Sequence, residues 1–197
     1  MPTVTNGFHP IIRAGDVIGF SGDCWLSAFI NLATYGIPYW SISHVGVMAD
    51  YADQLLLFES TVLSDIPCAI QGIDIPGTKA VALEERVKGY CGKIWHYPLY
   101  RLLYDFERER LSEFLLSTLG MPYDSIGAVR AGGLGWSWLE SKLWPADLSA
   151  IFCSEWVCAA HTVLGVFQTD HISRWSPNRL IRTERKRGIL QAPWRLK

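Results

Sequence analysis

The order of apolar and polar positions divides the chain into short strands and a few amphipathic helices. Gly15-Asp16-Val17-Ile18-Gly19-Phe20 is a brief apolar run behind a turn pair and predicts a first strand. Ser21-Gly22-Asp23 follows, with Asp23 suited to cap a helix over 24–34 that Gly36 and Pro38 close. Two apolar runs, His44 to Ala49 and Gln54 to Ser60, flank Asp50-Tyr51-Ala52-Asp53 and predict a hairpin. Residues 62–80 read as turns and strand fragments around Pro67, Gly72 and Pro76, before a short helix at Leu83 to Lys88 and a strand at Gly92 to Leu99. A charged helix from Asp105 to Leu119 has Phe106, Leu111, Phe114, Leu115 and Leu119 as its apolar stripe, and Gly120 ends it.

The most apolar helix comes late. Phe152-Cys153-Ser154-Glu155-Trp156-Val157-Cys158-Ala159-Ala160 places Cys153, Val157, Ala160 and Leu164 on one inward face, with Gly165 as its stop. Ser176-Pro177 has cap and first-turn character for a further helix, and a last short strand is expected near Gly188 to Leu190. No repeat, low-complexity stretch or linker interrupts the pattern. It describes one domain over 1–197, with an N-terminal arm (1–14), an insert rich in Gly and Trp (132–146) and a basic C-terminal tail (182–197).

Composition narrows the class. With 197 residues, 49% hydrophobic and 19% charged, the chain can bury a real core and is not a disordered segment. A net charge of −1 argues against a nucleic-acid-binding surface. Charge is uneven, however: Arg174, Arg179, Arg182, Arg185, Lys186, Arg187, Arg195 and Lys197 face Glu184 alone, a tail that is either a solvated face or a contact for an anionic surface. Five cysteines with no CxxC pair suggest neither a disulfide framework nor a zinc site, and fit a reducing compartment. No signal peptide is visible at the N-terminus, so cytoplasm, virion or an injected effector are the expected locations. No metal, phosphate-loop or dinucleotide constellation is present, and no cofactor is expected.

The chemistry that remains is that of cysteine. A thiol in the first turn of a helix lies at the positive end of the dipole, which favours the nucleophilic thiolate. Cys153 holds such a position; a buried structural cysteine is the plainer reading of the same residue. Nucleophilic catalysis also needs an imidazole and a group to orient it. A two-residue turn at 51–52 would pair 50 with 53, a four-residue one 49 with 54, and either puts His44 directly opposite Glu59; an odd loop would lose this. Cys24 is the rival nucleophile, since it too begins a helix after a cap. His161 lies about 12 Å along the helix from Cys153, too far to act on it. His96 reads as a core residue beside Trp95 and Tyr97, and His9 and His171 fall in loops.

Five short motifs follow one another: Gly15-Asp16-Val17-Ile18, Ser43-His44-Val45-Gly46-Val47, Phe58-Glu59-Ser60, Gly120-Met121-Pro122-Tyr123-Asp124 and Phe152-Cys153-Ser154-Glu155. Together they resemble the circularly permuted branch of the NlpC/p60 papain-like superfamily, the YiiX/YaeF-like proteins, with lecithin:retinol acyltransferase more distant. The cysteine motif comes last, as in that branch, an order that also weakens Cys24. The resemblance implies an α+β fold in which a small antiparallel sheet packs against the cysteine helix. It also implies a Cys-His-acid triad of Cys153, His44 and Glu59. Tyr123 matches a tyrosine near the site in such proteins and is a candidate substrate contact, as is Ser43 beside His44. The Trp-rich insert and the basic tail have no counterpart in it.

These readings converge on a thiol hydrolase or acyltransferase that forms an acyl-enzyme on a peptide, amide or acyl substrate. The resemblance suggests cell-wall peptides or amino-acid amides first, and lipid acyl groups second. Two alternatives of other kinds stand beside it. One is a non-catalytic module of a virion or secretion system on the same fold. The other is a peripheral membrane protein that uses Trp136, Trp138, Trp144 and the basic tail.

Overall fold

Short apolar runs bounded by turn residues leave the backbone little choice but to pair edge to edge. A computed structural model of the chain describes residues 10–22, 42–61, 65–121, 152–170 and 175–197. The strands are β1 (Val17–Ser21), β2 (His44–Tyr51), β3 (Gln54–Thr61), β4 (Gly77–Val81), β5 (Lys93–Tyr97) and β6 (Trp194–Arg195). They form one sheet in the order β4-β3-β2-β1-β5-β6, with every pair antiparallel. Four helices are described: α1 (Leu83–Gly89), α2 (Asp105–Ser117), α3 (Phe152–Val163) and α4 (Pro177–Lys186). The fold is α+β. The helix over 24–34, most of the N-terminal arm, Tyr123 and the Trp-rich insert lie outside the described residues.

Strands β1, β2, β3 and β4 are buried over most of their length on both faces, which is why β1, β2 and β3 read as nearly continuous apolar runs and not as alternation. One face carries Val45, Val47, Ala49, Leu56, Phe58 and Ala80 into a core shared with α2, α3 and α4. The other carries Ile18, Phe20, Met48, Leu57, Val81 and Ile94, on which Leu83 and Val87 of α1 pack. Cys153, Val157, Ala160 and Leu164 are all buried against the first face, as the helical spacing predicts.

The hairpin corrects the predicted register. Its turn is Ala52-Asp53, with Ala52 in the left-handed region (φ 49°), so Tyr51 pairs with Gln54 and Gly46 with Glu59. The strand runs on through Asp50 because α2 satisfies that residue's polar groups. Ser112 Oγ donates to its carbonyl and Arg108 Nε to its carboxylate, both at 2.8 Å. The shift is two residues, so His44 and Glu59 keep a common face but become diagonal neighbours. Gly46 lies between them by necessity. A Cβ there would stand 2.8 Å from the Phe58 carbonyl oxygen, so only glycine lets β2 and β3 approach this closely.

Three further expectations change. Phe106 is exposed rather than part of the α2 stripe, and it stacks on Tyr104 with ring centroids 5.8 Å apart. Glu107 takes the inward position. Its carboxylate caps the Tyr104 N–H at 2.9 Å and accepts two bonds from Arg101, which hold it below the usual carboxylate range. The last strand is not at Gly188 to Leu190, where only Leu190 bridges to Leu99, but at β6 on the sheet edge. The basic tail is therefore folded into the domain. Its first residues belong to α4, capped by Ser176 as its sequence predicts, and Lys197 Nζ reaches the Val87 and Tyr90 carbonyls at the end of α1.

Candidate functional site

Cys153 is the second residue of α3, in the first turn, where backbone N–H groups have no intrahelical acceptor. His44 opens β2 at the end of that strand, and there the thiol and the imidazole come within hydrogen-bond reach. The face of β2 that carries His44 also carries Met48, and the same face of β3 carries Leu57 and Glu59. The diagonal separation is spanned by the two side chains, so His44 Nε2–H donates to Glu59 Oε2 at 2.8 Å. That bond occupies one ring nitrogen and leaves Nδ1 for Cys153. Three residues singled out from sequence thus meet at one place.

A fourth was not anticipated. Arg86, on α1, is buried, and its Nε lies 2.8 Å from Glu59 Oε1 and 3.1 Å from Oε2, aligned for a hydrogen bond to the latter. Its guanidinium stands over the rings of Phe20 (4.9 Å) and Tyr90 (5.3 Å), and the Phe20 ring also packs 5.2 Å from that of His44. One signal in the sequence points to it. Leu83, Arg86 and Val87 share the inward side of α1, with Tyr90 just past its end, and a charge in an apolar stripe implies a buried partner.

The electrostatics follow from burial and proximity. Burial alone would lower the basicity of His44. The attraction of Cys153, a hydrogen bond to it and the pull of Glu59 outweigh that, and lift the imidazole to about 9. Burial would also raise Glu59, which has no exposed surface. The hydrogen bond and charge of His44, with the charge of Arg86, hold it below the ordinary carboxylate range instead. Cys158, one turn further along α3, is its opposite. Burial pushes that thiol up and keeps it inert. Of the remaining cysteines described, Cys68 is buried and Cys91 exposed.

Glu155 is a second surprise in the same turn as Cys153. It is 1% exposed, and neither carboxylate oxygen has a hydrogen-bond partner among the described residues. Burial lifts it to about 7. The folded state therefore holds a proton that the unfolded chain releases near 4.5, so the cost is absent below that pH, grows as pH rises and is complete above about 7. Glu155→Gln is expected to gain up to about 3 kcal/mol at pH 8 and almost nothing at pH 4, read from urea unfolding at both.

Ser43, singled out as a substrate contact, is buried, and its hydroxyl donates to the Phe20 carbonyl at 3.2 Å, which ties β2 to β1. Tyr123 lies outside the described residues, but the segment that leads to it is anchored beside the site. Gly120 (φ 79°) and Met121 exchange backbone hydrogen bonds with Thr78 of β4, whose neighbour Lys79 pairs across from Glu59.

The other described histidines serve the fold. His96 Nε2–H donates to Asp16 Oδ2 at 2.7 Å, and Asp16 Oδ1 accepts from the Leu99 N–H. His161 donates to Glu184 at 2.7 Å and to the Gly15 carbonyl at 3.3 Å, clamping α3 to α4 and to the start of β1 with no exposure at all. No group of three or more His, Cys, Asp or Glu that could hold a metal ion occurs among the described residues. Nor is any described helix long and apolar enough to cross a membrane.

No protein-family model matches the chain, and no curated protein matches it significantly. Among solved structures, the crystal structure of metalloprotein yiiX from Escherichia coli O157:H7, DUF1105, is similar with a TM-score of 0.49 at 22% identity. The match covers 78% of this chain and 67% of that one.

Proposed function

We propose that the protein is a thiol-dependent hydrolase or acyltransferase of the permuted papain-like kind. The observation that carries the reading is one arrangement. A cysteine in the first turn of a buried helix lies within hydrogen-bond reach of an imidazole whose other nitrogen is 2.8 Å from a buried carboxylate. An imidazolium held up to about 9 beside a thiol favours the thiolate. The thiolate attacks a carbonyl carbon, and the first N–H groups of α3 receive the developing oxyanion. His44 then gives its proton to the leaving amine or alcohol, and a thioester on Cys153 remains. Water or another acceptor, losing a proton to His44, resolves it. Glu59 keeps the ring in one orientation throughout.

Cell-wall peptides and amino-acid amides are the substrate class to try first, from the resemblance to permuted NlpC/p60 proteins, with acyl lipids next. The test is intact-mass analysis after brief exposure to an activated acyl ester, together with rates on amino-acid p-nitroanilides. An acyl adduct on Cys153 that is absent from Cys153→Ala is expected. The anilide rate should fall as pH passes about 9, where His44 loses the proton the leaving group needs. A stable, unmodified Cys153 under these conditions would favour a binding module on the same fold.

A further inference from the structure

One charge at the site belongs to no hydrolytic step. Glu59 touches His44, but Arg86 touches neither His44 nor Cys153 in any hydrogen bond; it reaches them through Glu59 and through the Phe20 ring that it shares with His44. It is 6% exposed, and it sits between two aromatic faces that fix its plane. A salt bridge that only tied α1 to β3 would not need to be buried beside an imidazole.

We propose that Arg86 is a positioning residue that makes the buried quartet of Cys153, His44, Glu59 and Arg86 electroneutral when the thiol is ionised and the imidazole protonated, and so sets the pH range in which Cys153 reacts. The inference rests on the reading of Cys153 as a nucleophile. With Arg86 present, one thiolate, one imidazolium, one carboxylate and one guanidinium sum to zero. Protonating the thiolate then leaves a buried positive charge, which low dielectric opposes. Without Arg86 the same quartet carries a buried negative charge, and taking up a proton relieves it.

The other charged groups near the quartet do not supply this balance. Lys79, opposite Glu59 on β4, puts its ammonium 2.9 Å from Asp74 and 3.0 Å from the Ile66 carbonyl. Glu84, Glu85 and Lys88 of α1 are exposed, and Lys197 is spent on carbonyls at the end of that helix. Lys93 lies on β5, two strands from His44 in the sheet. Glu155 is the one further titrating group in the turn of Cys153, and an E155Q background removes it from the profile.

The test is the rate of iodoacetamide labelling of Cys153 from pH 4.5 to 9.5 in wild type, R86M, R86K and E59Q with and without R86M, each with its melting temperature. In R86M the midpoint should move up by at least about one pH unit, with the full rate regained at alkaline pH. R86K should return most of that shift. E59Q together with R86M, neutral again, should fall back toward wild type, and E59Q alone should lie below the double variant. A purely structural Arg86 would lower the melting temperature and the labelled fraction at every pH but leave the midpoint in place. An unmoved midpoint in folded R86M, or no rescue by R86K, overturns the inference while the nucleophile reading stands. If R86M does not fold, the E59Q pair decides, and equal midpoints there overturn it. Absence of acidic labelling in wild type overturns the nucleophile reading and this inference with it.

Discussion

His44→Ala is expected to cut alkylation of Cys153 at pH 5.5 by about a hundredfold or more, and to leave it nearly unchanged at pH 9. An unassisted thiol ionises near 8.5, so only about one part in a thousand is thiolate at pH 5.5. In the wild type the imidazole is protonated at pH 5.5 and loses that proton only near pH 9, because the attraction of Cys153 and Glu59 outweighs its burial. Its removal takes away the cation that, among the described residues, lies in hydrogen-bond reach of the sulfur. Acyl transfer should suffer more than alkylation, by about a thousandfold or more in kcat/KM, since the leaving group loses its proton donor as well. Rates at both pH values, with the adduct located by mass spectrometry, separate loss of ionisation from loss of fold.

Glu59→Ala should be far more damaging to the fold. Glu59 has no exposed surface, and its carboxylate is the acceptor for both His44 and Arg86. Truncation leaves a buried guanidinium without its counter-charge, a loss of about 3 to 5 kcal/mol. For a domain of this size that lowers the melting temperature by roughly 10 °C or more. Glu59→Gln keeps the shape and a hydrogen-bond acceptor and should lose less. The two also differ from wild type in pH dependence. A carboxylate held below its unfolded value contributes stability above about 4.5 that is lost as pH falls through the lower folded value. Thermal melts from pH 3 to 7 should therefore show a steep acid limb in wild type that is blunted in Glu59→Gln.

Much of this architecture is legible in the sequence because it rests on local pattern. Strands β1, β2 and β3 are apolar runs bounded by turn residues, and the first-turn position of Cys153 follows from the spacing of Val157, Ala160 and Leu164. The common face of His44 and Glu59 survives a wrong register because an error of two residues preserves side-chain direction. The turn falls one residue later than local signals put it because Asp50 is held by Arg108 and Ser112 on a helix more than fifty residues away, which no local rule can see. Long-range pairing hides the rest. Arg86 is 27 residues from Glu59, and His161 is 23 from Glu184, so each partner looks like an ordinary surface charge until the chain is folded. Phe106 misled for a related reason: hydrophobicity placed it in the stripe, but the N-terminal cap of α2 needs Glu107 there.

The buried charges also set what the fold can tolerate. His161 with Glu184 and Asp16 with His96 tie α3, α4 and β5 to the start of β1. Charge pairs contribute less to stability than apolar packing, but they fix one arrangement of the elements. A nucleophile that must meet an imidazole from another strand depends on such fixing.

The most direct measurement is alkylation of the native wild-type protein with iodoacetamide at pH 5.5 and at pH 9, with each modified cysteine located by mass spectrometry. Cys91 is exposed and serves as the internal reference for an ordinary thiol, whereas Cys153 is only 2% exposed. The expected result is that Cys153 labels ahead of Cys91 at pH 5.5, despite its burial, and that both label at pH 9. Labelling of Cys91 or Cys24 in place of Cys153, or no labelling of Cys153 until the protein unfolds, would contradict a poised thiol at this site.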